Sequence, residues 1–373
     1  MKRFICCFGG ASSSKVMQEP MEQPDPSEPS EPSEPSEPTD SSETIDGEND
    51  DMTVGEFQWR EIIHGTKNFR ITHFLGRGNF GEVYRCDFPI INKVGAAKIH
   101  DHLNNPLGHP EFLAEVKTLH VANHPNVVNY LGKCFGFKHS AIVYEFLHNG
   151  SLDRHLFAPA GPGIRQGTLV LDWDTRMKIA VGVAEALVYL HNGLMVIHRD
   201  VKAENILLDD ALVPKLSDFG LAAKIVEDEN GTEMPREMKP IDETRSRGYV
   251  APETEELGLV STKSDIYSYG VFLFVLFTGR QAYDQRRPHE ARKITDWLMP
   301  VWDRLESSRL VLDAALGNKY SVQGLHKLFF TAKTCIDAQA LSRPDMNAVE
   351  SMIREAAACP LQEDSPVPQR RSF

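Results

Sequence analysis

The sequence predicts an α+β chain: a small, strand-rich first lobe, a larger and mainly helical second lobe, and an N-terminal arm that builds no core. Three observations predict it. Strand-like runs crowd residues 71–146, while helical apolar spacing takes over near Leu152 and returns in 173–191, 271–277 and 325–336. The first 56 positions instead carry a Pro/Ser/Glu repeat with almost no large apolar residues. Of the 373 residues, 41% are hydrophobic and 25% charged, the balance of a soluble globular protein rather than a fibrous or wholly disordered one. The longest apolar stretch, residues 269–277, falls far short of the roughly 20 residues that a membrane-spanning helix requires.

The net charge of −13 is a local property. Residues 19–56 hold 14 acids and neither Lys nor Arg, whereas 57–373 are nearly neutral and carry no basic run that could neutralise phosphates along a nucleic acid. A nucleic-acid partner is therefore excluded. Pro-Ser-Glu repeats four times between Pro26 and Pro38, a composition that favours an extended, solvated tether over residues 1–56. At its start Cys6 and Cys7 stand beside Lys2, Arg3 and Phe4. That grouping suits S-palmitoylation, with the basic residues meeting anionic headgroups, whereas Lys2 rules out N-myristoylation. If Cys6 and Cys7 are acylated, the arm ties the chain to the inner membrane surface. Cys86, Cys134 and Cys335 have no metal-ligand or disulfide spacing and read as small buried hydrophobes of a reducing compartment.

Folding starts at Phe57, where Trp59, Ile62, Ile63 and Phe69 give one apolar face of a short helical lead-in, residues 57–68. Ile71-Thr72-His73-Phe74-Leu75 reads as a strand entering Gly76-Arg77-Gly78-Asn79-Phe80-Gly81, and Val83-Tyr84 continue as a second strand. Glycines at 76, 78 and 81 let backbone approach a polyphosphate where a Cβ would collide. A dinucleotide loop of the same spelling leads into a helix, so the strand context favours a lid over nucleotide phosphates. Lys98, in Ala96-Ala97-Lys98-Ile99, projects from a strand, and Glu115 lies on a helix over residues 111–119 within reach of it. A lysine so held can present its charge to the α and β phosphates. Residues 126–137 and 140–146 read as two further strands, and His148-Asn149-Gly150-Ser151 as a turn into a linker between lobes, where Glu145 and Leu147 offer backbone groups to a purine ring.

Two polar clusters between strand-like runs carry the chemistry. In His198-Arg199-Asp200-Val201-Lys202-Ala203-Glu204-Asn205, Asp200 can orient an attacking hydroxyl and accept its proton, and Lys202 can counter charge on a transferred phosphoryl group. Asn205 and Asp218, the latter in Ser217-Asp218-Phe219-Gly220, offer hard oxygen ligands for Mg²⁺. Each residue alone is commonplace; the joint spelling, in this order, is not.

These motifs resemble the eukaryotic protein kinases from about Phe69 to Glu355. Ile142-Val143-Tyr144-Glu145-Phe146 followed by Asn149-Gly150-Ser151-Leu152 is similar in particular to plant receptor-like cytoplasmic kinases and interleukin-receptor-associated kinases. The resemblance implies a bilobal protein-kinase fold over residues 69–355, with ATP in the cleft, a protein substrate bearing Ser or Thr, and an upstream receptor or kinase; Pro360, Pro366 and Pro368 read as a flexible tail over 356–373. It further implies that Leu75, Gly76, Gly78, Gly81 and Val83 line the phosphate lid and that Ala96 roofs the adenine. Lys98 and Glu115 pair, Tyr144 is the gatekeeper, Asp200 is the base, and Asn205 and Asp218 bind magnesium. Lys202, two residues after Asp200, is the serine/threonine spelling. Glu253 of Ala251-Pro252-Glu253 pairs with Arg343, and Asp265 anchors the catalytic loop. The chain would sit in the cytoplasm, peripheral to the plasma membrane, controlled by phosphorylation at Thr232, Thr244 or Ser246 through Arg199. Two departures stand out. Gly95-Ala96-Ala97-Lys98 replaces Val-Ala-Ile-Lys, which weakens strand propensity, and Arg245-Ser246-Arg247 alters the substrate-facing loop. A kinase-shaped scaffold would be expected to lack Lys98, Asp200 or Asp218, all of which are present.

Overall fold

Alternation along one strand sets the two faces of the first lobe. In the computed structural model, which describes residues 55–78, 81–89, 92–102, 108–136, 138–157, 168–238, 246–301 and 311–361, β1 is Gly55–Glu56, β2 is Phe74–Gly78 and β3 is Gly81–Phe88. They are followed by β4 (Lys93–Asp101), β5 (Tyr130–Cys134) and β6 (His139–Glu145). These six form one sheet in the order β1-β5-β6-β4-β3-β2. Lys98 pairs with Val83 and Ile142, and Ala96 with Arg85 and Tyr144, so these side chains share the cleft face. Ala97, one residue on, pairs with Tyr84 and Val143 and points the other way. A one-residue slip would exchange the two sets, which fixes the register.

The outer face is buried under the lead-in. Helix α1 (Trp59–Gly65) places Ile62 in a cluster with Cys86, Phe88, Ala97, Ala141 and Val143, and Phe57, Trp59 and Phe69 pack around it. Beyond α1, Lys67, Asn68 and Phe69 all take left-handed backbone angles, with φ of 51, 57 and 55°. Thr66 steadies this turn: its hydroxyl donates to the Ile62 carbonyl at 2.7 Å and accepts the Phe69 amide at 3.2 Å. Because the chain is still turning, Ile71–His73 is a 3₁₀ turn, and the strand expected from Ile71 begins only at Phe74. The expected tether boundary at residue 56 also shifts, since Gly55 and Glu56 run parallel to Gly132 and Lys133 of β5. Residues 1–54, including Cys6, Cys7 and the Pro-Ser-Glu repeat, lie outside the described residues.

Helix α2 (Gly108–Leu119) covers the cleft face of the sheet, and α3 (Leu152–Leu156) opens the second lobe. That lobe is built on α4 (Trp173–Val188), capped where Asp172 accepts the Thr175 amide at 2.9 Å, and on α6 (Thr262–Thr278), which follows the short α5 (Pro252–Leu257). Every residue of α6 from 264 to 278 is buried, so it is an axle wrapped on all sides rather than an amphipathic surface helix. Val322–Cys335 packs on α6 and Met346–Ala357 packs on α4. The last of these helices buries Ala356, which therefore belongs to the core and not to a flexible tail.

One buried ion pair ties α5 to the end of the lobe. Arg343 donates from Nη1 and Nη2 to both oxygens of Glu253 at 2.8 Å each, and from Nε to the Asp337 carbonyl at 2.7 Å. A fork that satisfies two acceptors at once cannot be copied by a point charge. Arg343→Ala should lower unfolding stability by about 3 kcal/mol, because it strands Glu253. Arg343→Lys should recover less than half of that, read as the shift in urea midpoint; an unchanged midpoint in Arg343→Ala would refute the anchoring role.

Candidate active site

The cleft between sheet and second lobe encloses about 560 Å³ and is lined by Leu75, Gly76, Gly78, Val83, Ala96, Lys98, Glu115, Tyr144, Glu145, Leu147, Lys202, Asn205 and Asp218. Of the expected site residues two are not in its lining: Asp200 lines an adjoining pocket with Ser246, and Gly81 turns elsewhere. A Cβ there would strike the Ile99 carbonyl oxygen at 1.8 Å, so this glycine serves the close approach of β3 to β4. At Gly76 and Gly78 a Cβ would meet nothing nearer than 3.7 Å, so the protein itself does not demand glycine there. The space they leave faces the cleft, as a cradle for phosphates requires. Gly95 likewise has a packing reason: its Cβ would lie 2.9 Å from the Tyr144 carbonyl oxygen. The low strand propensity of Gly95-Ala96-Ala97 is thus overridden by tertiary fit, and β4 runs its full nine residues.

Lys98 lies between two carboxylates, with Nζ 2.8 Å from Glu115 Oε2 and 2.7 Å from Asp218 Oδ1. All three are buried or nearly so. Burial works against the charge on Lys98, but Asp218 and Glu115 outweigh it and hold the ammonium above its ordinary range. Asp218 is also penalised by burial, yet the Lys98 charge keeps it below the usual carboxylate range. For Glu115 burial wins and its pKa is raised. The second Glu115 oxygen accepts the Tyr144 hydroxyl at 2.7 Å and the Phe219 amide at 3.2 Å. Tyr144 therefore does more than close the back of the cleft, since it fastens α2 to the sheet. No sequence spacing signals that contact.

The second cluster centres on Asp200. Its Oδ2 accepts Lys202 Nζ at 2.7 Å and Asn205 Nδ2 at 2.8 Å, and its Oδ1 accepts the Ser246 hydroxyl. Lys202 Nζ also reaches Ser246 Oγ at 3.2 Å. Asn205 uses its amide nitrogen on the Asp200 side chain and carbonyl, which turns its oxygen away from them, and Asp218 Oδ2 accepts no hydrogen bond from the described residues. Asn205 and Asp218 thus present one amide oxygen and one carboxylate oxygen to a common cleft. Two hard oxygens plus nucleotide phosphates are the donor set that magnesium accepts. Among the described residues no three His, Cys, Asp or Glu side chains could hold a metal by themselves.

The loop carrying Asp200 is held from below. Asp265, at the start of α6, accepts the His198 and Arg199 amides at 2.7 Å each and His191 Nε2 at 2.9 Å. Burial opposes its charge, but the His191 contact and the amides keep its pKa low. Asp265 thereby fixes Arg199 at φ 72°, and Asp218 across the cleft sits at φ 63°, both left-handed conformations that non-glycine residues hold only when their surroundings enforce them. His198 accepts the Asp200 amide on Nδ1 at 3.2 Å, so its proton is on Nε2, facing the Ser217 carbonyl at 3.1 Å. Beneath the sheet Arg154 of α3 donates to the Leu75 carbonyl, linking the second lobe to the lid.

Comparison with known proteins gives a consistent picture. A family described as protein tyrosine and serine/threonine kinase matches residues 69–301. From Arabidopsis thaliana, the probable serine/threonine-protein kinase PBL23 is 38% identical across 83% of this chain and 78% of its own length. The serine/threonine-protein kinase PBS1 of the same plant is 37% identical across 83% and 66%, and the probable serine/threonine-protein kinase PBL25 is 34% identical across 92% and 88%. No helix among the described residues is long and apolar enough to cross a membrane. Every side chain of both clusters falls inside the matched span, and this chain belongs to the protein tyrosine and serine/threonine kinase family.

Proposed function

We propose that the chain transfers the γ-phosphoryl group of ATP to serine or threonine hydroxyls of protein substrates. The single observation that carries this reading is the Asp200–Lys202–Ser246 constellation, whose Lys202 lines the same cleft as Lys98 and Asp218 and bonds both Asp200 and Ser246. The Ser246 hydroxyl on Asp200 marks where an incoming hydroxyl can stand, with its proton directed at Oδ1. Asp200 then accepts that proton as the oxygen attacks, and Lys202 neutralises charge accumulating on the transferred group. Lys98, pinned by Glu115, holds the phosphates that stay behind. Magnesium, held by Asn205 and Asp218, would supply charge neutralisation between the phosphates. Lys202 and the names of the relatives support serine and threonine over tyrosine.

The reading extends to location and control. Acylation at Cys6 and Cys7 would place the kinase at the inner face of the plasma membrane, close to a receptor that acts upstream. Arg199 supports control by activation-segment phosphorylation: burial depresses its pKa, Asp265 counters this, and Arg236 lies near enough to depress it further. Its Nη1 donates to the Leu221 carbonyl at 3.0 Å, and its Nε finds no acceptor among the described residues. Two guanidinium groups so placed suit a phosphate. Ser246 is buried against Asp200, so the phosphate falls to exposed Thr232 or to Thr244, which lies outside the described residues.

With Mg-ATP and a mixed protein substrate, the purified chain should yield phosphoserine and phosphothreonine without phosphotyrosine, and EDTA should abolish transfer. Phosphotyrosine as the main product, or no transfer at all, would overturn this reading.

A further inference from the structure

Next to the acceptor position lies a second, smaller pocket of about 170 Å³, lined by residues of the loop after Ser246 and of the segment 283–296. We propose that it is a substrate subsite for an anionic side chain, a carboxylate or a phosphate, flanking the residue to be phosphorylated. This proposal rests on the kinase reading above.

Ser246 is buried on Asp200, whereas Arg247, whose Cα is about 3.8 Å further along the chain, is exposed. Its guanidinium lies 4.1 Å from the centre of the Tyr283 ring, another residue of the pocket wall. The loop passes close to that wall: Gly248 has φ 89°, and a Cβ there would come 2.7 Å from the Ala282 carbonyl oxygen. That oxygen in turn accepts the Ile294 amide at 2.9 Å, and the Asp284 amide reaches the Arg292 carbonyl at 3.0 Å. Residues 282–284 and 292–294 are therefore laced together, and Arg292, Lys293 and His289 line the pocket with Arg247.

The charge balance favours an anion. Glu255 and Asp296 also line the pocket; Glu255 is engaged by Lys293 at 3.0 Å, which leaves the Arg247 and Arg292 guanidinium groups against the single carboxylate of Asp296. The nearby acid Asp284 is taken up by Arg286 at 2.9 Å and Arg287 at 3.5 Å. Arg247 has no carboxylate partner among the described residues, and Arg292 gives only its Nε, to the Arg287 carbonyl at 3.2 Å. Two planar forks with free N–H donors fit paired oxygens. The volume is several times the roughly 30 Å³ a water occupies in the liquid, enough for one such group.

The test uses the full chain and matched serine peptides whose flanking residues are Asp, phosphoserine or Ala, scored by kcat/KM and, independently of transfer, by fluorescence anisotropy. The wild type should favour the Asp or phosphoserine peptide about tenfold over the Ala peptide, the size expected for one hydrogen bond to a charged group. The preference should sit in KM, shrink towards parity in Arg247→Gln and Arg292→Gln, and invert towards Lys-flanked peptides in Arg247→Glu. Because each score is a ratio within one protein sample, partial misfolding does not mimic it. Preference for phosphoserine over Asp identifies already phosphorylated targets; equal preference identifies acidic sequences. Binding of the acidic peptide through Arg247 without transfer to any peptide would remove the kinase reading and keep the pocket. Equal treatment of all three peptides by the wild type, or a preference that survives both Gln variants, would overturn the proposal.

Discussion

Asp200→Asn is expected to reduce kcat by about 10³-fold while leaving KM for ATP within a factor of about three, because it removes the proton acceptor and little else. The packing argument is specific. The carboxylate receives Lys202 and Asn205 on one oxygen and Ser246 on the other. An asparagine can keep its oxygen towards the two nitrogen donors and turn its NH₂ towards Ser246, whose hydroxyl can accept. Fold and nucleotide binding should therefore persist. Steady-state kinetics with saturating ATP check the claim, and a variant retaining a tenth or more of the wild-type kcat would end the assignment of Asp200 as base.

Lys98→Met should lower kcat/KM for ATP by about 100-fold, the loss of roughly 3 kcal/mol from a charged contact to phosphate. It should also destabilise the fold, because Glu115 and Asp218 are left facing one another without their shared cation. A pH signature separates this from simple loss of packing. In the wild type burial already holds Glu115 above its unfolded pKa, and removing Lys98 pushes it further up. The folded variant then binds a proton that the unfolded chain has released, so its stability is fullest at low pH and falls as pH rises past the unfolded value towards the raised one. Melting temperatures of Lys98→Met should drop relative to wild type as pH rises above the ordinary carboxylate range. A pH-independent difference would mean that Glu115 does not titrate there.

Much of this arrangement is legible in the sequence because chemistry restricts residue type. Lys98, Glu115, Asp200, Lys202, Asn205 and Asp218 are the residues that the spelling singles out; the structure lines one cleft with five of them and bonds Asp200 to Lys202 and Asn205 at its edge. The two-lobe division is legible too, since strand alternation gives way to helical spacing where the linker lies. What sequence hides are contacts set by tertiary fit. Nothing local says that the Tyr144 hydroxyl would grip Glu115, that Arg154 would reach the Leu75 carbonyl, or that Gly81 would face β4 instead of the phosphates. Arg176 is hidden for the same reason. It reads as one more charge on a helix, yet it is buried and donates to the Leu171 and Leu276 carbonyls and to Asp313 at 2.6 to 2.9 Å. The displaced start of β2 has a local cause, the three left-handed residues after α1, which propensity scales score as unfavourable.

The blanket that α1 and Phe57 lay over the sheet has a practical corollary. Recognition by kinship begins at residue 69, but the physical unit begins about a dozen positions earlier. A gene trimmed to the recognisable catalytic span would leave Cys86, Phe88 and Val143 bare to solvent, inviting clumping however sound the machinery beneath. For this protein the preamble is insulation for the sheet beneath it.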